Sequence, residues 1–376
     1  MLVFTLVVLE VFAFALQFVV DREDFFDHRN TVLERLNTDD LALFRKKGGD
    51  PVLGWRSYGP RIQNEVNCLG EKKEYSYNVI GARLYSQFEP ATTEIVIVGD
   101  SYTNGDEAED DETYSAQLAK LLNTSVANHG VGGYGPTQSF LNLKRVISHY
   151  PQAKIVVLAI MYENLYRMIN SYRPVLYSAS STYTLKPYML DGEIQVHPGA
   201  HALEDIEYFK QMAHRSFDND FWAKPDAGFP YMVSLAEALS SNYLFYWKTQ
   251  KLLRVLRYPE YSLIFQDEDI RTNLIRLLNR YAEYANSLGF KAVVIFIPRN
   301  RHDTQSASRY LHQSRSVFHP NLLIGDVGAK KWVDWIKFNL QEEDGEKICH
   351  PSTYGYQTIA EYIAEFMRAE KVWPVQ

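Results

Sequence analysis

Three residues of this chain have the types and the spacing to do chemistry together: Ser101, Asn164 and His350. Ser101 closes Gly99-Asp100-Ser101, directly after the apolar run Ile95-Val96-Ile97-Val98. A strand running into such a turn delivers one hydroxyl to the carboxyl end of a sheet, where α/β proteins place their ligands. Asn128-His129-Gly130-Val131-Gly132-Gly133 then offers backbone N–H groups with little side-chain hindrance at Gly130, Gly132 and Gly133. Asn164 comes after the next apolar run and can donate through its carboxamide. His350 precedes the last helical segment and can reach the same edge to take the Ser101 proton. A nucleophile, a base and donors aimed at a developing oxyanion are what acyl transfer needs. Singly, each has an ordinary reading. Gly-Asp-Ser is a common turn, an asparagine after a strand is a cap, a histidine before proline is structural, and a glycine run eases packing or cradles phosphate. The phosphate reading lacks both Gly-Lys-Ser/Thr and the dinucleotide-binding spacing with its downstream acid. It is the order of the parts that points to acyl transfer.

The elements that must position these residues alternate. Residues 95–98 read as a strand, 111–122 as a helix with acids in its first turn, and 125–128 as a short strand. A helix over 136–149 carries Phe140, Leu143, Val146 and Ile147 at helical spacing, and 154–161 is a strongly apolar strand. After an interruption the pattern resumes with a long helix over 267–288, a buried strand over 291–298, a shorter strand over 322–327 and a last helix capped by Ser352. Such alternation predicts a parallel sheet with right-handed crossovers. The interruption, 171–264, holds Asp191-Gly192 between two alternating runs, the strongest short hairpin signal. Beyond it lies an aromatic stretch that reads as helical, through Tyr243, Trp247, Leu252 and Leu253. The expected organisation is therefore 1–20 as a hydrophobic segment and 21–90 as an N-terminal extension with a weak edge strand over 75–81. The α/β domain covers 91–170 and 265–376, and 171–264 is an inserted lid or substrate wall.

With 376 residues, 46% hydrophobic and 23% charged, the chain can bury one large α/β domain with insertions or two small ones. Its net charge of −7, with no basic stripe, argues against a nucleic-acid partner. No cluster has metal-ligand spacing, so neither a metal nor an organic cofactor is expected. The 26 tyrosines serve packing or line a carbohydrate surface. The only cysteines, Cys68 and Cys349, are either two buried thiols or one disulfide tying the N-terminal extension to the histidine loop in an oxidising compartment. Residues 1–20 are interrupted only by Thr5, Glu10 and Gln17, and 20 residues at ~1.5 Å rise give ~30 Å, enough to span a bilayer. An uncleaved membrane anchor is the favoured reading. A secretory signal lacks its basic start here, and a buried N-terminal helix is the third option.

The chain resembles the SGNH, or GDSL-like, hydrolase superfamily over roughly 93–170 and 265–370. Gly99-Asp100-Ser101 matches the first block, and Asn128, Gly130 and Gly133 match an Asn-x-Gly-x-x-Gly second block. The third, usually Gly-x-Asn-Asp, reads Tyr162-Glu163-Asn164-Leu165. The last, usually Asp-x-x-His-Pro, reads Lys347-Ile348-Cys349-His350-Pro351, with lysine in place of the acid. The resemblance implies a flavodoxin-like three-layer sandwich with a five-stranded parallel sheet. It implies Ser101 as nucleophile, His350 as base, and the Ser101 N–H, Gly133 N–H and Asn164 as oxyanion donors. The acid that orients the histidine has as candidates Asp344 and Glu346, then Glu343 or Glu163, with a backbone carbonyl as the other option. The expected function is a membrane-anchored, exported serine esterase acting on O-acyl esters, with cell-surface glycan as the expected substrate. An O-acyltransferase on the same site and a catalytically inactive glycan-binding protein are the alternatives. A phosphodiesterase is disfavoured for want of metal ligands.

Overall fold

The structure is a computed structural model and describes residues 2–19, 25–86, 88–178, 180–197, 203–241, 267–299, 310–311, 315–329, 333–341 and 348–374. They form two compact units. Arg56–Met168, Met189–Ile194 and Ile264–Gln376 make the larger; Met1–Trp55, Ile169–Tyr188 and Gln195–Leu263 make the smaller.

In the larger unit, β1 (Arg61–Val66) and β2 (Lys72–Tyr77) pair antiparallel. Five strands then make one parallel sheet: β3 (Thr93–Gly99), β4 (Ser125–Gly130), β5 (Ile155–Met161), β6 (Lys291–Ile297) and β7 (Leu322–Asp326). From edge to edge the order is β7-β6-β5-β3-β4. Counted within the sheet this is 2-1-3-4-5, the flavodoxin-like doubly wound order, and its topological switch point lies at the carboxyl end of β3. Val96 of β3 sits opposite Ala127 on one side and Val156 on the other.

Helices of this unit include α1 (Ser101–Asn104), α2 (Tyr114–Leu122), α3 (Pro136–Val146), α4 (Asn164–Met168), α5 (Glu268–Ser287) and α6 (Thr353–Ala369). The strands are near-continuous runs of buried apolar residues because both sheet faces are covered. Leu118 and Leu122 of α2 with Ile359 and Ile363 of α6 share one cluster with Ile95, Ile97, Val157, Val293 and Ile295. On α3 and α5, Phe140 meets Tyr281 edge-on at 5.9 Å, and the Tyr281 hydroxyl reaches the Val156 carbonyl at 2.7 Å. The expected cap is in place, Ser352 accepting from the Gly355 N–H, and Asp267 caps α5 by accepting from the Ile270 N–H. The helix expected from 111 begins at Tyr114, because Asp110–Glu112 takes a 3-10 turn and the Thr113 side chain caps α2 by accepting from the Ala116 N–H.

The Asp-Gly hairpin is present: Tyr188–Leu190 and Glu193–Gln195 pair across Asp191 (φ 52) and Gly192 (φ 79). Two left-handed residues in succession are what a type I′ turn demands. In the smaller unit, Leu2–Val19 is a helix. Among the described residues no helix is long and apolar enough to cross a membrane, so the span expected of residues 1–20 is not confirmed. The helix contacts Tyr231–Ser241: Glu10 accepts from the Tyr231 N–H at 2.7 Å, and the Phe14 ring lies 4.8 Å from that of Tyr231. Tyr243, Trp247, Leu252 and Leu253 lie outside the described residues.

Candidate active site

The site is built from the turn that ends β3. The Asp100 carboxylate accepts from the Tyr102 N–H at 2.8 Å and the Thr103 N–H at 3.4 Å, which caps α1 and leaves Ser101 as its first residue. Ser101 is thus held at the switch point, buried, with its carbonyl accepting from the N–H groups of Gly105 and Asp106. The glycines around it have separate tasks. At Gly130 a Cβ would stand 2.1 Å from the Asn104 nitrogen, so this glycine lets α1 lie against the end of β4. Gly133 has φ 80, a backbone that favours glycine. Asn128 clamps the same corner, donating to the Thr103 carbonyl at 2.6 Å and accepting from the Gly130 N–H at 2.9 Å.

Asn164 opens α4, just past β5, and its Nδ2 donates to the second oxygen of Asp100. A carboxamide nitrogen carries two hydrogens, so this bond orients Asn164 and leaves it one further donor. Its Oδ1 is buried without a hydrogen-bond partner among the described residues. Burial pushes the Asp100 carboxyl up to about 6, against the opposing pull of Arg167, the two backbone N–H groups and His350.

His350 comes to this corner from the strand Ile348–Pro351. Its ring packs edge-on against that of Tyr102, at 5.8 Å between centroids. Two carboxylates face the imidazole: Glu107 Oε1 is 3.5 Å from Nδ1, and Asp106 Oδ2 is 4.0 Å from Nε2. The His350 N–H also donates to Glu107 Oε2 at 3.4 Å. Burial opposes a charge on this imidazole, but the carboxylates of Glu107, Asp106 and Asp100 outweigh it and hold the pKa above the ordinary histidine value. Cys349, the preceding residue, forms a disulfide with Cys68.

Of the residues singled out in the sequence, Ser101, Gly133, Asn164 and His350 all stand at the carboxyl end of β3–β5 or on the loops that close over it. Asp344 and Glu346, with Glu343 and Lys347, lie outside the described residues. Glu163 pairs with Arg299 at 2.7 Å and with Arg167 at 3.8 Å. Sequence reasoning misses Asp106 and Glu107, although two adjacent acids shortly after the Gly-Asp-Ser turn are a usable signal. It also misses Arg83, which donates to the carbonyls of Asn104, Gly105 and Ala108 at 2.6–3.1 Å and to Asp110 at 2.7 Å. That guanidinium fixes the loop on which both acids ride.

No protein-family model and no curated protein matches the chain. Solved structures resemble it in fold. A lipolytic protein of the G-D-S-L family from Desulfitobacterium hafniense is 11% identical, covering 73% of this chain and 99% of that one, with a TM-score of 0.31. Another G-D-S-L family member, from Veillonella parvula, is 12% identical over 73% of this chain and 97% of its own, at 0.34. The salicylyl-acyltransferase SsfX3 of a tetracycline biosynthetic pathway is 13% identical over 78% of this chain and 60% of its own, at 0.35. At these identities and TM-scores the likenesses say nothing about family or activity.

Proposed function

We propose that this chain is a serine-dependent acyl-transfer enzyme that acts as an esterase on O-acyl esters. The observation that carries the reading is the position of Ser101, heading α1 at the switch point of the sheet while the His350 imidazole packs against the next residue, Tyr102. The Ser101 hydroxyl attacks the ester carbonyl and His350 takes its proton. The tetrahedral oxyanion is held by the N–H groups of Ser101 and Gly133 and by the second amide hydrogen of Asn164. Collapse expels the alkoxide, which recovers the proton from His350 and leaves an acyl-Ser101 ester. Water, deprotonated by His350, then attacks that ester and releases the acid. A sugar hydroxyl in place of the water makes the same site an O-acyltransferase.

The disulfide supports an exported protein, because such bonds persist in oxidising compartments. O-acyl groups on cell-surface glycans are the substrate class that fits an exported esterase. Membrane association through the Leu2–Val19 helix belongs to the same reading, supported by the exposed side chains of Val3, Phe4, Val7, Val11 and Phe12.

The test is reaction of the full chain with a fluorophosphonate probe beside Ser101→Ala and His350→Ala. Labelling that needs both residues is expected. Absent labelling of a folded wild type would remove the enzyme reading and favour a glycan-binding protein. Product analysis with an acyl donor and an acceptor sugar then separates hydrolysis from transfer.

A further inference from the structure

Within this acyl-transfer reading, on which the inference rests, His350 needs a group on the ring nitrogen that faces away from the serine. In serine triads that group is a carboxylate on Nδ1, which fixes ring and tautomer and stabilises the imidazolium. The position three residues before His350 is Lys347. The carboxylate that does face Nδ1 comes from the other end of the domain's sequence. Glu107 spans His350 with both oxygens, Oε1 at 3.5 Å from Nδ1 and Oε2 at 3.4 Å from the backbone nitrogen. One carboxylate thus faces both the ring and the strand that carries it, at an ion-pair distance from Nδ1, which has no hydrogen-bond partner among the described residues.

The backbone of Glu107 is a second, independent observation. Its φ is 65, the left-handed region that a residue with a Cβ enters at a cost. Such outliers persist where the surroundings enforce them, and they cluster at functional positions. Here the surroundings are explicit. Arg83 holds the carbonyls on either side of residues 106 and 107. The Tyr356 hydroxyl donates to the Asp106 carbonyl at 3.1 Å. The Glu107 carboxylate also lies within 4.8 Å of the sulfurs of Cys68 and Cys349. Both sulfurs are spent in a disulfide, so this group is not a set of thiolate metal ligands. It places the carboxylate beside the bond that anchors the residue before His350.

We propose that Glu107 is the positioning carboxylate of His350, supplied from the loop after the nucleophile instead of from the loop before the histidine. Asp106 is the rival. It approaches the opposite nitrogen, Nε2, and a Cβ on Gly132 would stand 2.9 Å from its Oδ2, which sets it on the glycine-turn side of the ring.

The experiment uses the full chain and four variants: Glu107→Gln, Glu107→Asp, Glu107→Gly and Asp106→Asn. Three quantities are read: fluorophosphonate labelling rate against pH, the His350 imidazole titration by NMR with His350→Gln as the assignment control, and the melting temperature. In Glu107→Gln the labelling rate should fall about 10²- to 10⁴-fold. The His350 titration and the acid limb of labelling should both move to lower pH, since an imidazolium that loses its carboxylate gives up its proton more readily. Glu107→Asp should recover part of the rate. Glu107→Gly should be as slow as Glu107→Gln yet melt about 1–3 °C higher, because glycine adopts the left-handed backbone freely. Asp106→Asn should keep more of the rate than Glu107→Gln. A wild type labelled at Ser101, with Glu107→Gln labelled equally fast and titrating alike, overturns the proposal and leaves the enzyme reading intact. An unlabelled wild type overturns the enzyme reading, and the NMR titration still decides whether Glu107 holds the imidazole. A slow Glu107→Gln with an unmoved titration reduces Glu107 to a structural tie and also overturns the proposal.

Discussion

Asn164 carries two demands on one amide. Its Nδ2 is bonded to the buried Asp100 carboxylate, and that bond aims the second hydrogen. Asp100 in turn caps α1 and is held near a pKa of about 6 by burial. Asn164→Ala should therefore do two things. It should lower kcat about 10²- to 10³-fold with little change in KM, as expected of a donor that acts only once the oxyanion forms. It should also raise the Asp100 pKa further, since a group that stabilises the charged form has gone. A steady-state comparison with a short-chain acyl ester checks the first. A KM that rises while kcat holds would assign Asn164 to ground-state binding. The residue types of this site are legible in the chain because each sits in a short contiguous block, after a strand for Ser101, Gly133 and Asn164 and just before the last helix for His350. The orientation of Asn164 is not, because its partner Asp100 belongs to a different block, and only the β3–β5 pairing brings the two together.

The loop from Asn104 to Asp110 is the element that decides the histidine's surroundings. It has little regular structure of its own and is held from outside. Arg83, 1% exposed, donates to three of its carbonyls and to Asp110, with its guanidinium 4.0 Å from the Tyr75 ring centroid. The Tyr77 hydroxyl adds a bond to Asn104 Oδ1 at 2.9 Å. Arg83→Met keeps much of the volume but removes every donor, leaving buried carbonyls and a partly buried Asp110 without their cation. A loss of about 3 kcal/mol is expected, read by chemical denaturation. Labelling should also slow in the way expected for Glu107→Gln, because the loop that carries Glu107 loses its strap. An Arg83→Met protein as stable as wild type would show that the loop holds itself. This element is the hardest to read from the chain alone. The parallel strands announce themselves as buried apolar runs, whereas β1 is half exposed, with Ile62 and Val66 facing solvent, and reads as an ordinary polar stretch. Residues 21–90 therefore look like an extension, although β2 and Arg83 within them support the site.

At the scale of the whole molecule the disulfide is a long-range tie, joining residues 281 positions apart. It fastens the turn between β1 and β2 to the strand that bears His350, while both sulfurs lie beside the Glu107 carboxylate. A cross-link that closes so long a loop is worth about 5.6 kcal/mol in the chain-entropy model, an upper bound where the reduced chain keeps structure. Its effect on rate has a separate cause, since Cys349 is the neighbour of His350 and its release frees the histidine's backbone. The double variant Cys68→Ser with Cys349→Ser should melt lower and label several-fold more slowly. Wild type treated with a reductant should approach the same values, with thiol titration reporting how much of the bond has opened. Adding Glu107→Gln to the double variant should slow labelling less than it does in wild type, because bond and carboxylate hold the same strand and their effects should not add. Full additivity would mean that the disulfide stabilises the fold without positioning His350. Free thiols on the protein as it is isolated from its cells would count against export, because the bond would then be absent where the enzyme works.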